Sequence, residues 1–401
     1  MAPPMQYSFL MRTVLTAEKL WNGTSLQNHP VILIEDGRIA SMSSRTAGEL
    51  PPVSGDQVFD FPGATLAPAF LDVHIHGAAG HDVMEATAEA LNTMGRFLAS
   101  HGTGSYLATT VTAPLDATLH SLSGLAKLLA HPPHSDETVT WPVGIHLEGP
   151  FLSHSKRGVH PPDLLLAPSI SVFDKLYEAA EGNVQLMTLA PELPGAIELA
   201  AHATARGVRV SVGHSNATAA ETRAAIAAGA VSATHTFNAM RPLDHREPGI
   251  LGVVLTTDSL FAELICDGIH NTPEMVNIWW RCKGPERAIL ITDAMSAAGM
   301  PDGEYQLGGI KVQVANGKAS FGDVLAGSVL TLDRALSNYL AFTGASVEEG
   351  LRLLTANPAS MIGFGDSAGS LSVGQPANFV AVDRTGQLVA SFVNGKKAPT
   401  L

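Results

Sequence analysis

Apolar and polar positions along the chain change rhythm twice. Near the start, "PVILIEDGRIASMS" runs apolar, breaks at Asp36-Gly37 and runs apolar again, the pattern of a β-hairpin. Near the end, "ANFVAVDRTGQLVASFVNGKKA" has the same texture, with turns expected at Thr385-Gly386 and Asn394-Gly395. Neither end alone carries enough strands for a stable sheet, so the two ends are expected to build one small β-sandwich together.

Between them the pattern alternates. Apolar runs rich in Val, Ile, Leu and small residues occupy 66–76, 104–111, 143–148, 184–189, 208–214, 231–237, 261–267 and 288–293. Helical spacing of three and four fills most of the gaps, as in "TAEALNTMGRFLAS", "LDATLHSLSGLAKLLA" and "TPEMVNIWWRC". "NATAAETRAAIAAG" opens with Thr218 and Glu221 in capping-box spacing and closes on Gly229. Alternating strand and helix predict a parallel sheet of the α/β class, and about eight units fit a closed (β/α)8 TIM-like barrel. The rival, an open doubly wound sheet, calls for a glycine-rich phosphate loop after its first strand, and "HIHGAAG" is a poor one. The expected division is residues 8–64 with 365–401 as the β-sandwich, and 65–364 as the barrel. "GGIKVQVANGKASFGD" reads as a hairpin inserted after the last barrel strand, and "SVLTLDRALSNYL" as the last barrel helix.

Composition narrows the function classes. With 401 residues and 45% hydrophobic content, a large core can be buried. A net charge of −13 and no long basic run argue against nucleic acid or an anionic membrane as partner. A small anionic substrate stays compatible, because a local pocket can be basic on an acidic protein. Cys266 and Cys282 cannot make a disulfide framework and read as two buried thiols in a reducing compartment. The opening "MAPPMQYSFLMRTVLTAEKLW" lacks the form of a signal peptide, and no run reaches the roughly 18 apolar residues of a membrane span. A soluble cytoplasmic protein is expected.

The chemistry is positional. Active sites of barrels lie at the C-terminal ends of the strands. Here those ends carry His74 and His76, then Glu148, His214, His235 and Asp293. Residues i and i+2 on a strand point the same way, so both imidazoles of "HIH" can reach one ion. Imidazole and carboxylate ligands suit zinc-type ions. The expected arrangement is Glu148, His214 and His235 around one ion, and His74, His76 and Asp293 around another. Glu148 supplies the anionic bridge. Asp293 has a second task, because a carboxylate beside activated water can take its proton and return it to a leaving group.

The motifs "FLDVHIHG", "GIHLEGPFL", "KRGVHPP", "TLAPE", "VGHSNAT", "THTFNAMRPLDHREPG", "CDGIH", "ITDAM" and "LAGS" occur in this order. In that series the chain resembles the amidohydrolase superfamily, over nearly its whole length. Within it, the resemblance is to the branch that deacetylates phosphorylated N-acetyl amino sugars. It implies N-acetyl-D-glucosamine 6-phosphate as substrate, with N-acetylgalactosamine 6-phosphate as the alternative. It also implies one or two divalent ions, zinc first and iron or another ion next, and a homodimer. By motif match, Asp293 is the catalytic acid/base and His160 polarises the substrate carbonyl. Asn238 and Ala239 contact the substrate, His270 contacts the sugar or the phosphate, Arg246 binds phosphate, and Leu325, Ala326 and Gly327 form a loop that closes over the substrate. His81, His146 and His154 are left as structural or surface residues.

Overall fold

A computed structural model describes residues 12–46, 57–132, 138–365 and 368–399. The outermost residues of the expected terminal unit, 8–11 and 400–401, lie outside these. Eight parallel strands form the barrel: β1 Phe70–Ile75, β2 Thr103–Thr110, β3 Trp141–Glu148, β4 Val184–Leu189, β5 Arg209–Val212, β6 Ala230–Ala233, β7 Phe261–Ile265 and β8 Ala288–Ile291. Each pairs with its sequence neighbour, from β1 round to β8. The strands are buried along nearly their full length, which is why their sequences read as apolar runs rather than alternating ones.

Closure between β8 and β1 uses no regular ladder. The Asp293 N–H donates to His74 O at 2.9 Å, and the His76 N–H donates to Ala294 O at 2.8 Å. Beneath them, the Thr292 hydroxyl donates to the buried Asp72 carboxylate at 2.5 Å. Burial raises the Asp72 carboxyl to about 7, against the hydrogen bonds from Thr292 and His74 that lower it.

The helices follow their sequence signals. Ala88–Ser100 starts on a Thr87 cap, and Ala219–Ala227 carries the full Thr218/Glu221 capping box. Leu332–Thr343 is the helix after the insertion, and it ends on Gly344 in the left-handed region. The insertion is more than a hairpin. Gly303–Leu307, Ile310–Ala315, Lys318–Phe321 and Val324–Leu325 make a four-stranded antiparallel sheet over its own small core of Leu307, Val312, Val314, Ala319 and Ala326.

The two chain ends share one sheet, in the order Lys396–Lys397, Leu388–Val393, Phe379–Val382, Gln57–Pro68, Thr13–Trp21, Pro30–Glu35 and Arg38–Ser44. It curls until Arg38 bridges Pro376, and Leu15, Leu20, Ile32, Phe61, Phe379 and Phe392 fill the enclosed core. The expected sandwich is thus one continuous sheet folded over itself. Asp36-Gly37 and Asn394-Gly395 both turn with two positive φ angles, as tight hairpins of right-handed twist require. The predicted first barrel run is divided: Leu66–Pro68 closes the terminal sheet against Phe379–Val382, and the barrel begins at Phe70. Cys266 is buried, but Cys282 is exposed, against the expectation of two buried thiols. Among the described residues no helix is long and apolar enough to cross a membrane.

Candidate active site

The strand ends gather the predicted side chains. Glu148 is the last residue of β3 and stands in the middle. Its Oε1 lies 3.1 Å from His235 Nε2, 3.2 Å from His214 Nε2 and 3.4 Å from His74 Nε2. Its Oε2 lies 3.3 Å from His76 Nε2 and 3.5 Å from His160 Nε2. On the other side, Asp293 Oδ1 is 3.1 Å from His76 Nε2 and 3.4 Å from His74 Nε2, and those two nitrogens are 3.3 Å apart.

Three of these residues lie two positions beyond a strand: His214 after Val212, His235 after Ala233 and Asp293 after Ile291. All three have positive φ, at 48°, 26° and 51°. For a histidine this conformation is uncommon and costs energy, and such strain collects at functional sites. The turn swings each side chain inward over the barrel mouth. The preceding Gly213 lets strands pack tightly there, since a Cβ on it would sit 2.6 Å from Thr234 Cβ.

The spacing comes within a few tenths of an ångström of what metal ligands need, and two groups here could hold an ion: His74, His76 and Asp293, and Glu148 and His214 with His160. Ligands about 2.0–2.2 Å from a tetrahedral ion stand about 3.3–3.6 Å apart. The His74–His76–Asp293 contacts run from 3.1 to 3.4 Å, and the Glu148–His214–His235 contacts from 3.1 to 3.2 Å. The outer ring nitrogens are directed too. His76 Nδ1 faces Thr109 O at 3.0 Å, and His214 Nδ1 faces Lys156 O at 2.9 Å. A proton on Nδ1 leaves the Nε2 lone pair pointing at the ion. The adjoining carboxylates favour the protonated forms of His74 and His76 against their burial. Burial lowers His76, but its hydrogen bonds to Asp293 and Glu148 win and push it up to about 9. Asp293 is likewise raised by burial and pulled down further by His74 and His76, below the usual carboxylate range.

A cavity of about 350 Å³ opens over this cluster. His76, Glu148, His214, His235 and Asp293 reach it from the barrel mouth. His160, Asn238, Ala239, His270 and Gly327 come from loops, and Leu325 from the inserted sheet. His74 lies behind the others, fully buried. His270 is fixed by Asp267, whose carboxylate takes its Nδ1 at 2.7 Å and the N–H groups of Ile269 and His270. Ala326 points away, into the core of the inserted sheet. Arg246 is exposed on the loop after Ala239 and is not among the residues lining the cavity. A larger cavity of about 720 Å³ lies on the terminal sheet, but no imidazole lines it.

Sequence reasoning missed several neighbours. Lys156 lines the cavity and holds His214 through its carbonyl. Thr112 holds His160, its hydroxyl 2.8 Å and its N–H 3.3 Å from Nδ1. Glu263, on β7, is fully buried beneath His74. Its signal was a lone carboxylate inside the apolar run "LFAELIC". His146, left without a role, is buried between Val73 O and Thr188 in the barrel floor.

A closed α/β barrel with imidazole and carboxylate clusters that could hold metal ions under an open cavity is the architecture of a metal-dependent hydrolase. The chain belongs to the Amidohydrolase family, whose profile matches residues 65–400. It is similar to an N-acetylgalactosamine-6-phosphate deacetylase from Escherichia coli O157:H7, at 38% identity over 97% of this chain and 100% of that one. It is 35% identical to an N-acetylglucosamine-6-phosphate deacetylase from Vibrio furnissii, over 95% of this chain and 93% of that one. Among solved structures, N-acetyl-D-glucosamine-6-phosphate deacetylase from Mycobacterium smegmatis, in complex with N-acetyl-D-glucosamine-6-phosphate, superposes with a TM-score of 0.88. It is 34% identical, over 97% of this chain and 99% of that chain.

Proposed function

We propose that this chain hydrolyses the acetamide of N-acetyl-D-glucosamine 6-phosphate, giving D-glucosamine 6-phosphate and acetate. The observation that carries the reading is one cavity that joins the carboxylate–imidazole cluster to Asn238, Ala239, His270 and Lys156, in a chain with deacetylases as relatives along nearly its whole length.

In this reading Glu148, His214 and His235 hold one divalent ion, and His74, His76 and Asp293 a second, with Glu148 facing both. Zinc is the ion proposed, with iron or another divalent ion as the alternative. Such an ion, when bound, supplies Lewis acidity for the acetyl carbonyl and brings the pKa of water toward about 7. Asp293 takes the proton of the attacking water as its oxygen bonds to the acetyl carbon. It then returns that proton to the nitrogen, so the C–N bond breaks with a neutral amine leaving. His160 supports the oxyanion. Its Nδ1 accepts the Thr112 N–H, so Nε2 carries the proton that faces the cavity. Burial, ahead of its charged neighbours, pushes this ring down to about 4, which keeps it a neutral donor. Asn238, Ala239 and His270 hold the sugar, and the 325–327 segment closes over it through Leu325 and Gly327. Arg246 and Lys156 take the phosphate. Binding energy at that distant end positions the acetamide.

The same reading carries a homodimer and a cytoplasmic setting, with residues 8–64 and 365–401 as one unit and 65–364 as the catalytic one. The identity to the Escherichia coli relative keeps N-acetylgalactosamine 6-phosphate as a second substrate reading. The test is acetate release from both phosphorylated sugars and from free N-acetylglucosamine, with metal analysis of the same preparation. Higher kcat/KM on N-acetylglucosamine 6-phosphate is expected. Preference for the galactosamine ester would move the assignment to the second reading, and no acetate from either would overturn both.

A further inference from the structure

Glu263 is an ionisable side chain with no exposed surface, inside a barrel core. Its Oε2 lies 3.4 Å from His74 Nδ1 and 3.4 Å from the backbone N of His235. Its Oε1 has no hydrogen-bond partner. A buried carboxylate satisfied on one oxygen alone costs several kcal/mol, and an apolar residue in that place would avoid the cost. Something must compensate, and among the described residues the side chain paired with Glu263 is His74, whose other nitrogen faces Glu148 and Asp293.

Two of the cluster's other rings show the same construction with weaker acceptors. His76 and His214 turn Nδ1 toward backbone carbonyls, while His235 Nδ1 has no partner. Only His74 has a carboxylate behind it. A carboxylate behind a ligating imidazole fixes the tautomer, raises the basicity of the ligating nitrogen and shares the ion's charge.

We infer that Glu263 is the positioning residue of the His74–His76–Asp293 site: it holds the proton on His74 Nδ1 and so presents Nε2 to an ion between His74, His76 and Asp293. Because the same Oε2 meets the His235 N–H, Glu263 also joins that site to the backbone that carries a ligand of the other. The inference rests on the metal reading above.

The test is zinc titration of the metal-free protein, followed by calorimetry and metal analysis, for the native chain, E263Q, H74N and H74N/E263Q. The native chain should bind two ions. E263Q keeps the shape but not the charge, and should retain one tight ion while the weaker event shifts 10- to 100-fold weaker. H74N/E263Q should bind no worse than H74N, because both changes remove the same interaction. Two unchanged binding events in E263Q would overturn the inference while leaving the metal reading intact. So would equal weakening of both events, which marks a role through the His235 backbone. A native chain that takes up one ion overturns the inference alone, and one that takes up none overturns the metal reading with it. Nitrogen-15 spectra of the zinc-loaded native protein need no variant. They should show His74 protonated at Nδ1, and a proton on Nε2 would refute the assignment.

Discussion

Replacing Asp293 by Asn removes the proton-accepting carboxylate while keeping the backbone contacts at that position. The backbone there has φ 51°, a conformation that Asn adopts as readily as Asp and that Ala resists by about 1–2 kcal/mol. Both backbone contacts survive the change: the N–H to His74 O at 2.9 Å and the carbonyl accepting from Ser328 N at 2.7 Å. What disappears is the charge and the basic oxygen, 3.1 Å from His76 and 3.4 Å from His74. Losing one positioned acid/base group costs about 10²–10⁴ in rate, or about 2.7–5.4 kcal/mol of barrier. In the proposed reading Asp293 serves both the attack and the departure of the amine, so the upper half of that range is expected in kcat.

Metal binding should respond unequally. The ion among Glu148, His214 and His235 keeps all three ligands, whereas the other site exchanges an anionic ligand for a neutral amide. The measurement is steady-state acetate release at saturating zinc, with metal content and a thermal melt on the same material. A melt close to native, at least one ion per chain and a kcat reduced 10³-fold or more is the expected set. A kcat within tenfold of native, with metal bound, would refute the proton-transfer role. Loss of both ions would show that Asp293 builds the whole centre rather than acting within it.

His160→Asn should lower kcat about 10²–10³-fold with metal content unchanged, since in the proposed reading the ring donates to the oxyanion and the ion is held by Glu148, His214 and His235; a parallel loss of metal would contradict this and make His160 a ligand beside Glu148 and His214. Gly213→Ala would drive a Cβ to within 2.6 Å of Thr234 Cβ, so stability should fall by about 1–3 kcal/mol and metal affinity with it as His214 moves; an unchanged melt would show that β5 and β6 can separate freely. In the metal-free protein His76 is raised from 6.5 to about 9. A folded pKa above the unfolded one gives stability that is full below pH 6.5 and drains away as pH climbs through 9, on the order of a few kcal/mol. A bound ion replaces that proton, so the rise in Tm on adding zinc should grow between those values, and a rise independent of pH would refute the assignment.

The sequence made legible what depends on local pattern. Asp36-Gly37 and Asn394-Gly395 turned where the dipeptides demanded positive φ, and the Thr218/Glu221 box capped its helix as spaced. The eight apolar runs became eight strands because burial on both faces leaves no polar position to interrupt them. What stayed hidden depends on partners far along the chain. Pairing of Thr13–Trp21 with Gln57–Pro68 is parallel, and no short-range signal announces it. The left-handed turns at His214, His235 and Asp293 are single-residue events that leave apolar periodicity untouched. Ala326 sits between two cavity-lining residues, yet the inserted sheet takes its methyl group into its core. Arg246, matched by motif alone, stands exposed, because a motif fixes order along the chain and not direction in space.

The position of the centre follows from how the barrel closes. Seven junctions are parallel ladders, and the eighth is made by the backbone of His74, His76, Asp293 and Ala294 and by the Asp72–Thr292 bond. Three of those residues are also the side chains gathered for one ion. Closing the barrel and assembling that half of the centre are therefore one event: a separation of β1 from β8 would pull His74 and His76 away from Asp293. An ion held between them would clasp the junction that lacks a ladder, and would favour the closed form in which its ligands meet. At free zinc 1,000-fold above its dissociation constant, such an ion adds about 4 kcal/mol to the folded state. That stabilisation should act on the β1–β8 seam first, so hydrogen exchange of the Asp293 and His76 amides should slow more on loading than exchange at the ladder between β4 and β5. Uniform slowing around the barrel would mean that the seam is no weaker than its neighbours.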